Sequence, residues 1–222
     1  MLDGGAQDCK AWRMTSEDQL IVFPDPMQAE DDGLLAGGGD LEPQTLLAAY
    51  RCGIFPWYEQ GGPILWWSPD PRMVLFPGEF HCSRRLARRM RQACFEVTRD
   101  TAFAAVMRGC AGRAEGTWIH PEMMEAYQRL FDMGYAASIE VWQQGELVGG
   151  LYGVHLGRIF FAESMFSRVT DASKVALAEL VTQGWLMIDC QFHTGHLQSL
   201  GAREIARAEF LALLAEGVDA AG

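Results

Sequence analysis

Between residues 138 and 165 the chain makes three β-prone runs, the first alternating, joined by two tight turns, and no other feature restricts its fold as much. Ser138-Ile-Glu-Val-Trp142 alternates, Gln143-Gln-Gly-Glu146 turns, and Leu147-Val-Gly-Gly-Leu-Tyr-Gly-Val154 returns. His155-Leu-Gly-Arg158 turns again and Ile159-Phe-Phe-Ala-Glu-Ser-Met165 makes the third run. Period two puts successive side chains on opposite faces of a strand, and short Gly-containing turns join antiparallel neighbours. The pattern predicts an antiparallel meander, with Ile159, Phe161, Glu163 and Met165 sharing one face.

Helical stretches flank the meander. Before it come Arg84–Arg91 behind a Ser83 cap, a stretch near 101–110, and one near 121–133 with Pro121 in its first turn. After it come a helix over about 171–184 capped by Thr170 or Asp171, a short strand Leu186-Met-Ile-Asp189, and a helix over about 203–214. Three strands, a helix, a strand and a helix predict an α+β fold in the order of an acetyltransferase-like (GNAT-like) domain, here residues 73–222.

Residues 1–72 read as a small N-terminal α/β domain. Residues 1–32 are a polar, acidic lead-in, and Gly33-Leu-Leu-Ala-Gly-Gly-Gly-Asp40 lacks both the Walker lysine and G-x-G-x-x-G spacing, so it reads as a turn. A helix runs from Pro43 to a stop at Gly53. Trp57, Tyr58, Trp66 and Trp67 then crowd a proline-rich stretch without periodicity, either as a packing wedge between domains or as the wall of an apolar pocket.

Composition removes several classes. With 49% hydrophobic residues the chain can bury a core, and no apolar run approaches the length of a membrane span. The N-terminus carries no secretory pattern, so the cytoplasm is the expected compartment. Six cysteines without a C-x-x-C pair read as reduced thiols, and Cys190, His193 and His196 have no fourth ligand at matching spacing, so no metal site is expected. A net charge of −11 opposes non-specific binding to nucleic acid. Against that average, five arginines fall within residues 84–91, in a chain with 16 Arg and 2 Lys. Arg84, Arg88 and Arg91 share one helical face, and guanidinium groups suit phosphate oxygens; a solvated helix face is the other reading.

Two carboxylates stand where chemistry is common. Glu163 lies among apolar residues of the third strand, either at a solvent boundary or as an anchor for an ammonium group, and Asp189 ends a buried-looking strand beside a loop. A coenzyme A site needs a Gly-rich loop before the following helix, and Ser167-Arg-Val-Thr-Asp-Ala-Ser-Lys174 has no glycine.

Taken together these segments resemble the leucyl/phenylalanyl-tRNA–protein transferases. The residues that carry the resemblance are Gly33-Leu-Leu-Ala36, Gly38-Gly-Asp40, Ala49-Tyr-Arg-Cys-Gly-Ile-Phe-Pro-Trp57, Leu65-Trp-Trp-Ser-Pro-Asp-Pro-Arg72, Gly116-Thr-Trp-Ile119, Glu163-Ser-Met-Phe-Ser167, Ala172-Ser-Lys174, Ile188-Asp-Cys-Gln191 and Ser199-Leu-Gly-Ala202. The resemblance covers residues 22–210. It implies an aminoacyltransferase, without cofactor, that moves leucine or phenylalanine, with methionine as a third candidate, from aminoacyl-tRNA to the N-terminal arginine or lysine of proteins. Carried over by position, Trp57, Trp118, Glu163 and Met165 line the aminoacyl-adenosine pocket, Asp189 and Gln191 form the reacting centre, and Arg84, Arg88 and Arg91 meet tRNA phosphates. Asp189, oriented through Gln191, is expected to accept or relay the proton of the attacking amine; the rival role is to bind an ammonium group while the tRNA's own vicinal hydroxyl moves the proton. An apolar pocket accepts side chains unbranched at Cβ and crowds isoleucine and valine.

The chain departs from the family pattern at Phe131 and Ala137, where histidines are usual, and at Asp171, an asparagine elsewhere, which is expected to act as an equivalent cap. Gln92 stands where a basic residue is frequent. A monomer is the expected state. An acyl-CoA acetyltransferase and a non-enzymatic tRNA- or peptide-binding module are the other classes such a chain could serve.

Overall fold

The computed structural model of the chain describes residues 22–92, 94–112 and 118–219. Most of the acidic lead-in, with Cys9, and Gly116-Thr117 lie outside the described residues.

The N-terminal part builds strand β1 (Leu34–Gly37), helix α1 (Pro43–Arg51), β2 (Phe55–Pro56) and β3 (Leu65–Trp67), with the strands in the order β1-β3-β2. Two stretches that lack periodicity therefore form strands, because pairing on β3 supplies what the local sequence does not: Phe55 and Leu34 both stand opposite Trp67. Asp40 accepts from the Glu42 N–H at 3.0 Å and the Thr45 hydroxyl at 2.6 Å just ahead of α1. Gly53 ends that helix at φ +71°, and a Cβ there would lie 2.7 Å from the Phe210 ring, so both turn and packing require glycine.

The larger part begins with β4 (Arg72–Leu75) and continues through α2 (Arg84–Arg91), β5 (Glu96–Arg99), α3 (Phe103–Ala111), α4 (Pro121–Asp132), β6 (Ala136–Gln143), β7 (Glu146–Leu156) and β8 (Ile159–Ser167). It ends with α5 (Ala172–Leu180), β9 (Met187–Asp189), α6 (Gly195–Ser199), β10 (Arg203–Ile205) and α7 (Arg207–Asp219). Seven strands form one sheet in the order β10-β4-β9-β8-β7-β6-β5, antiparallel except where β8 and β9 run parallel. This is the α+β arrangement expected from the order of elements, with the meander as β6, β7 and β8. The expected last helix is corrected at its start. Arg203-Glu-Ile205 pairs with β4, and the helix begins only at Arg207.

Two apolar layers sandwich the sheet. One gathers α1, α3, α4 and α7 against Val74, Tyr152, Val154, Ile159 and Phe161. The other gathers Leu86 of α2 and Val175, Leu177 and Leu180 of α5 against Met73, Leu75, Leu151, Phe160 and Ile188. The first layer also takes in Leu46, Tyr50, Tyr58 and Trp66, so the N-terminal part shares a core with the larger sheet.

One departure in register governs the site. Tyr152 pairs with Ser164 while its neighbour Gly153 pairs with Ala162, leaving Glu163 as the extra residue of a β-bulge. The bulge shifts the alternation by one. Phe161 packs in the first layer, whereas Met165 packs against the second. The expected common face of Ile159, Phe161, Glu163 and Met165 is thus corrected: Met165 lies across the sheet from the others.

Candidate functional site

The parallel β8–β9 pair holds only from Ile159–Met187 to Phe161–Asp189, and beyond that point the two strands part. A cleft of about 830 Å³ lies there. Residues 162–168 of β8 and its exit form one wall and residues 190–192 after β9 the other, with Ser173 and Leu177 of α5 below, Gly109 of α3 above, and Phe55, Trp57 and Trp118 at one end.

The aromatic cluster proves to be both wedge and wall. Trp66 is 2% exposed in the core, its indole N–H donating to the Gly38 carbonyl at 2.8 Å. Tyr58 is buried with its hydroxyl on Glu122 at 3.2 Å, and desolvation and that carboxylate together raise its ionisation far above the usual tyrosine range. Trp57, at 41% exposure, lines the cleft, its ring 5.4 Å from both Trp67 and Phe192.

Asp189 ends β9, fully buried. The Arg72 guanidinium grips it in a fork, Nε to Oδ1 at 2.8 Å and an Nη to Oδ2 at 2.7 Å. Arg72 is itself buried between the rings of Phe55 and Phe210, 4.7 and 4.4 Å from their centroids. Asp189 Oδ1 also accepts the backbone N–H of Gln191 at 3.0 Å. Among the residues lining the cleft are Cys190 and Gln191 but not Asp189. Gln191 adopts φ +56°, a left-handed conformation rare outside glycine, and its carbonyl accepts from the Met73 N–H at 3.0 Å. With its amide turned so that the nitrogen faces acceptors, the assignment the surrounding carbonyls require, the side chain donates to Ala162 at 3.0 Å and Cys190 at 3.2 Å and bridges the splay between the two walls.

Glu163 is carried into the cleft wall by the bulge. Oε1 accepts from the Tyr50 hydroxyl at 2.7 Å and Oε2 from the Tyr127 hydroxyl at 3.0 Å, and the two hydroxyls stand 2.5 Å apart. Burial pushes the Glu163 carboxyl from about 4.5 up to about 7, against the pull of the two hydroxyls, with Asp189 adding to the rise and Arg72 opposing it. Burial also raises Tyr50 and Tyr127 well above their usual range. Cys190 is buried, and desolvation followed by the Asp189 charge holds it as a thiol.

The structure thus brings Trp57, Trp118, Glu163, Met165 and Gln191 to one cleft and sets Asp189 behind Gln191. Arg84, Arg88 and Arg91 are exposed on α2, which packs against α5, and α5 also lines the cleft. Cys190 is buried while His193 and His196 are exposed, and no group of three metal-ligating side chains forms among the described residues. Asp171 does not cap α5 with its side chain; at φ +72° its carboxylate pairs with Lys174 at 3.3 Å and Arg85 at 3.5 Å. Phe131 stacks on Phe103 at 4.4 Å.

Arg72, Tyr50 and Tyr127 escaped the sequence reading. Each partner lies far along the chain: 117 residues separate Arg72 from Asp189, and 113 separate Tyr50 from Glu163. The signal was present only as a charged residue opening an apolar strand and two tyrosines inside apolar helix faces.

The α+β sheet splays beside its one parallel pair, and polar groups converge there in an apolar cleft. A GCN5-related N-acetyltransferase from Kribbella flavida aligns at a TM-score of 0.40 and 11% identity, over 72% of this chain and 60% of that one, too distant to add to the topology. The family model described as leucyl/phenylalanyl-tRNA protein transferase matches residues 74–215, and that of its N-terminal domain matches residues 39–70. The leucyl/phenylalanyl-tRNA–protein transferase of Syntrophobacter fumaroxidans is 58% identical over 215 residues, covering 93% of this chain and 91% of the relative. That of Stutzerimonas stutzeri is 59% identical over 209 residues, covering 90% and 92%. The chain belongs to the leucyl/phenylalanyl-tRNA–protein transferase family, and with it to the aminoacyltransferases.

Proposed function

We propose that this chain transfers leucine or phenylalanine, with methionine as a third candidate, from aminoacyl-tRNA to the N-terminal arginine or lysine of acceptor proteins, working as a cytoplasmic monomer. The observation that carries the reading is the bridge at the splay. With its nitrogen donating to Ala162 and Cys190, the Gln191 amide has its oxygen left to accept a hydrogen bond from an amine in the cleft.

The donor ester is already activated, so the enzyme has to orient and desolvate rather than supply energy. Trp57 and Trp118 offer stacking faces for the terminal adenosine. Leu151, Met165 and Leu177 line the apolar part that takes the aminoacyl side chain. Arg84, Arg88 and Arg91 hold phosphates of the tRNA. Asp189 serves as a positioning residue. Both its oxygens are engaged by Arg72 and the Gln191 N–H, so it fixes the strained Gln191 backbone and does not touch the amine.

The test uses leucyl-tRNA labelled in its leucine, a peptide beginning with arginine and one beginning with alanine. Label on the arginine peptide alone is the expected result. No transfer to either peptide, with tRNA binding intact, overturns the reading in favour of a binding module.

A further inference from the structure

Tyr50, Tyr127 and Glu163 come from α1, α4 and the β8 bulge and close a triangle of three oxygen–oxygen contacts at 2.7, 3.0 and 2.5 Å. Each contact at hydrogen-bond distance needs a proton between its oxygens. The two hydroxyls supply two. The third comes from the carboxyl, and with Glu163 protonated every member donates once and accepts once around a ring. With Glu163 ionised, one contact holds no proton and sets two oxygens against each other. The site therefore favours taking up one proton, and it opens on the cleft where the amine must lose one.

We infer that Glu163 accepts the proton of the attacking α-amine, with Tyr50 and Tyr127 as the positioning residues that hold its carboxyl group in place. The inference rests on the transferase reading above. In the step, the neutral amine nitrogen bonds to the ester carbonyl carbon, and the nitrogen passes one proton to the Glu163 carboxylate. The carbon–oxygen bond to the tRNA ribose then breaks, and the departing oxygen takes that proton from Glu163. The carboxylate is restored, and nothing beyond amine and ester is consumed.

The groups around Glu163 suit the task. Arg72 and Asp189 are the charges that act on it, and they are locked to each other in a fork. Tyr152 stands edge-on to Tyr127 at 5.8 Å and adds no formal charge. An affinity for the proton near neutrality matches a base that works at neutral pH. Asp189 is paired with the Arg72 cation and, unlike Glu163, does not line the cleft.

Single-turnover transfer from leucyl-tRNA to an arginine-first peptide, followed against pH with the whole chain, tests the assignment. Glu163→Gln should lower turnover at neutral pH by about 100-fold while the peptide KM stays within a factor of about three. The unaltered chain should show a rise in rate as Glu163 ionises, separate from the rise of the amine itself near pH ~8, and Glu163→Gln should keep only the second. Tyr50→Phe and Tyr127→Phe each remove a hydroxyl whose hydrogen bond sets the Glu163 titration, so each should displace the first rise along the pH axis. Formate should restore part of the turnover of Glu163→Ala.

Turnover retained in Glu163→Gln, or a loss confined to peptide KM, overturns the inference; the second outcome makes Glu163 an anchor for the cationic N-terminus. Should the Glu163 variants not fold, an unmoved rise in both tyrosine variants overturns it equally. No transfer by the unaltered chain overturns the transferase reading itself, a result distinct from these.

Discussion

Arg72 and Asp189 meet in a two-pronged ion pair, 2.8 and 2.7 Å, with neither side chain more than 1% exposed. The pair joins the first strand of the large sheet to the strand that ends at the cleft, and its second duty is to present Asp189 Oδ1 to the Gln191 N–H. Removing one partner strands the other as a buried charge, at a cost of about 3–5 kcal/mol. Arg72→Met and Asp189→Asn should each lower the unfolding free energy by that order, read as a lower urea midpoint, and the double variant Arg72→Met/Asp189→Leu should be more stable than either. All three should lose transfer, because the fork that aims Asp189 Oδ1 at the Gln191 N–H is broken in each and the acceptor itself is gone in the double variant. Single variants that unfold at the wild-type urea concentration would refute the account.

Gly109 sets the width of the cleft. A Cβ at this position would stand 2.6 Å from the tip of the Phe166 ring, and both residues line the cleft. In Gly109→Ala the ring has to tilt into the space proposed for the aminoacyl side chain. Phenylalanine, the longer guest, should suffer more than leucine, with their kcat/KM ratio shifting by about tenfold. Competition between phenylalanyl- and leucyl-tRNA reads this ratio directly, and an equal loss for both would refute it.

Glu163 also leaves a mark on stability. Its folded carboxyl titrates near 7 against an ordinary value near 4.5, so folding favours its protonated form. The stabilisation is complete below about pH 4.5, declines as pH rises through that interval, and is gone above about 7. Glu163→Gln stays neutral throughout, so it should be more stable than the wild type at pH ~8, with the gap closing as pH falls. Denaturant midpoints at several pH values test it; a gap that widens toward acid pH would contradict the raised titration.

The sheet was legible where the chain announces it locally and hidden where pairing is distant. Residues 138–165 carry both alternation and turns, so the meander could be read from the residues alone. Arg203-Glu-Ile205 is short and two-thirds charged, and becomes a strand only because β4 lies beside it. The bulge at Glu163 is invisible to a period-two count, since an extra residue on one strand is defined only by its partner; hence Met165 was placed on the wrong face. The arginine stripe could be read because i, i+4, i+7 spacing is a property of one helix. The fork of Arg72 on Asp189 and the triangle at Glu163 could not, because each needs the folded topology to bring its members together.

The stripe on α2 yields the last prediction. Arg84, Arg88 and Arg91 are exposed, whereas Arg85 pairs with Asp171 at 3.5 Å and Arg89 lies over the Phe95 ring at 5.1 Å. If each of the three meets one phosphate, each change to alanine should lower the slope of log affinity against log salt by about one and weaken tRNA binding alike for leucyl- and phenylalanyl-tRNA. Arg129→Ala is the control, since that guanidinium is paired with Glu42 at 3.1 Å on α4, across the sheet from α2. The net charge of −11 sharpens the contrast. A polyanion is repelled over most of this surface, so a stripe that meets tRNA should decide where it lands as well as how tightly it holds. Loss of all three arginines should therefore depress the rate of productive association more than a uniformly basic protein would suffer from the same change. A salt slope that is unchanged in the triple variant would remove the stripe from the tRNA path.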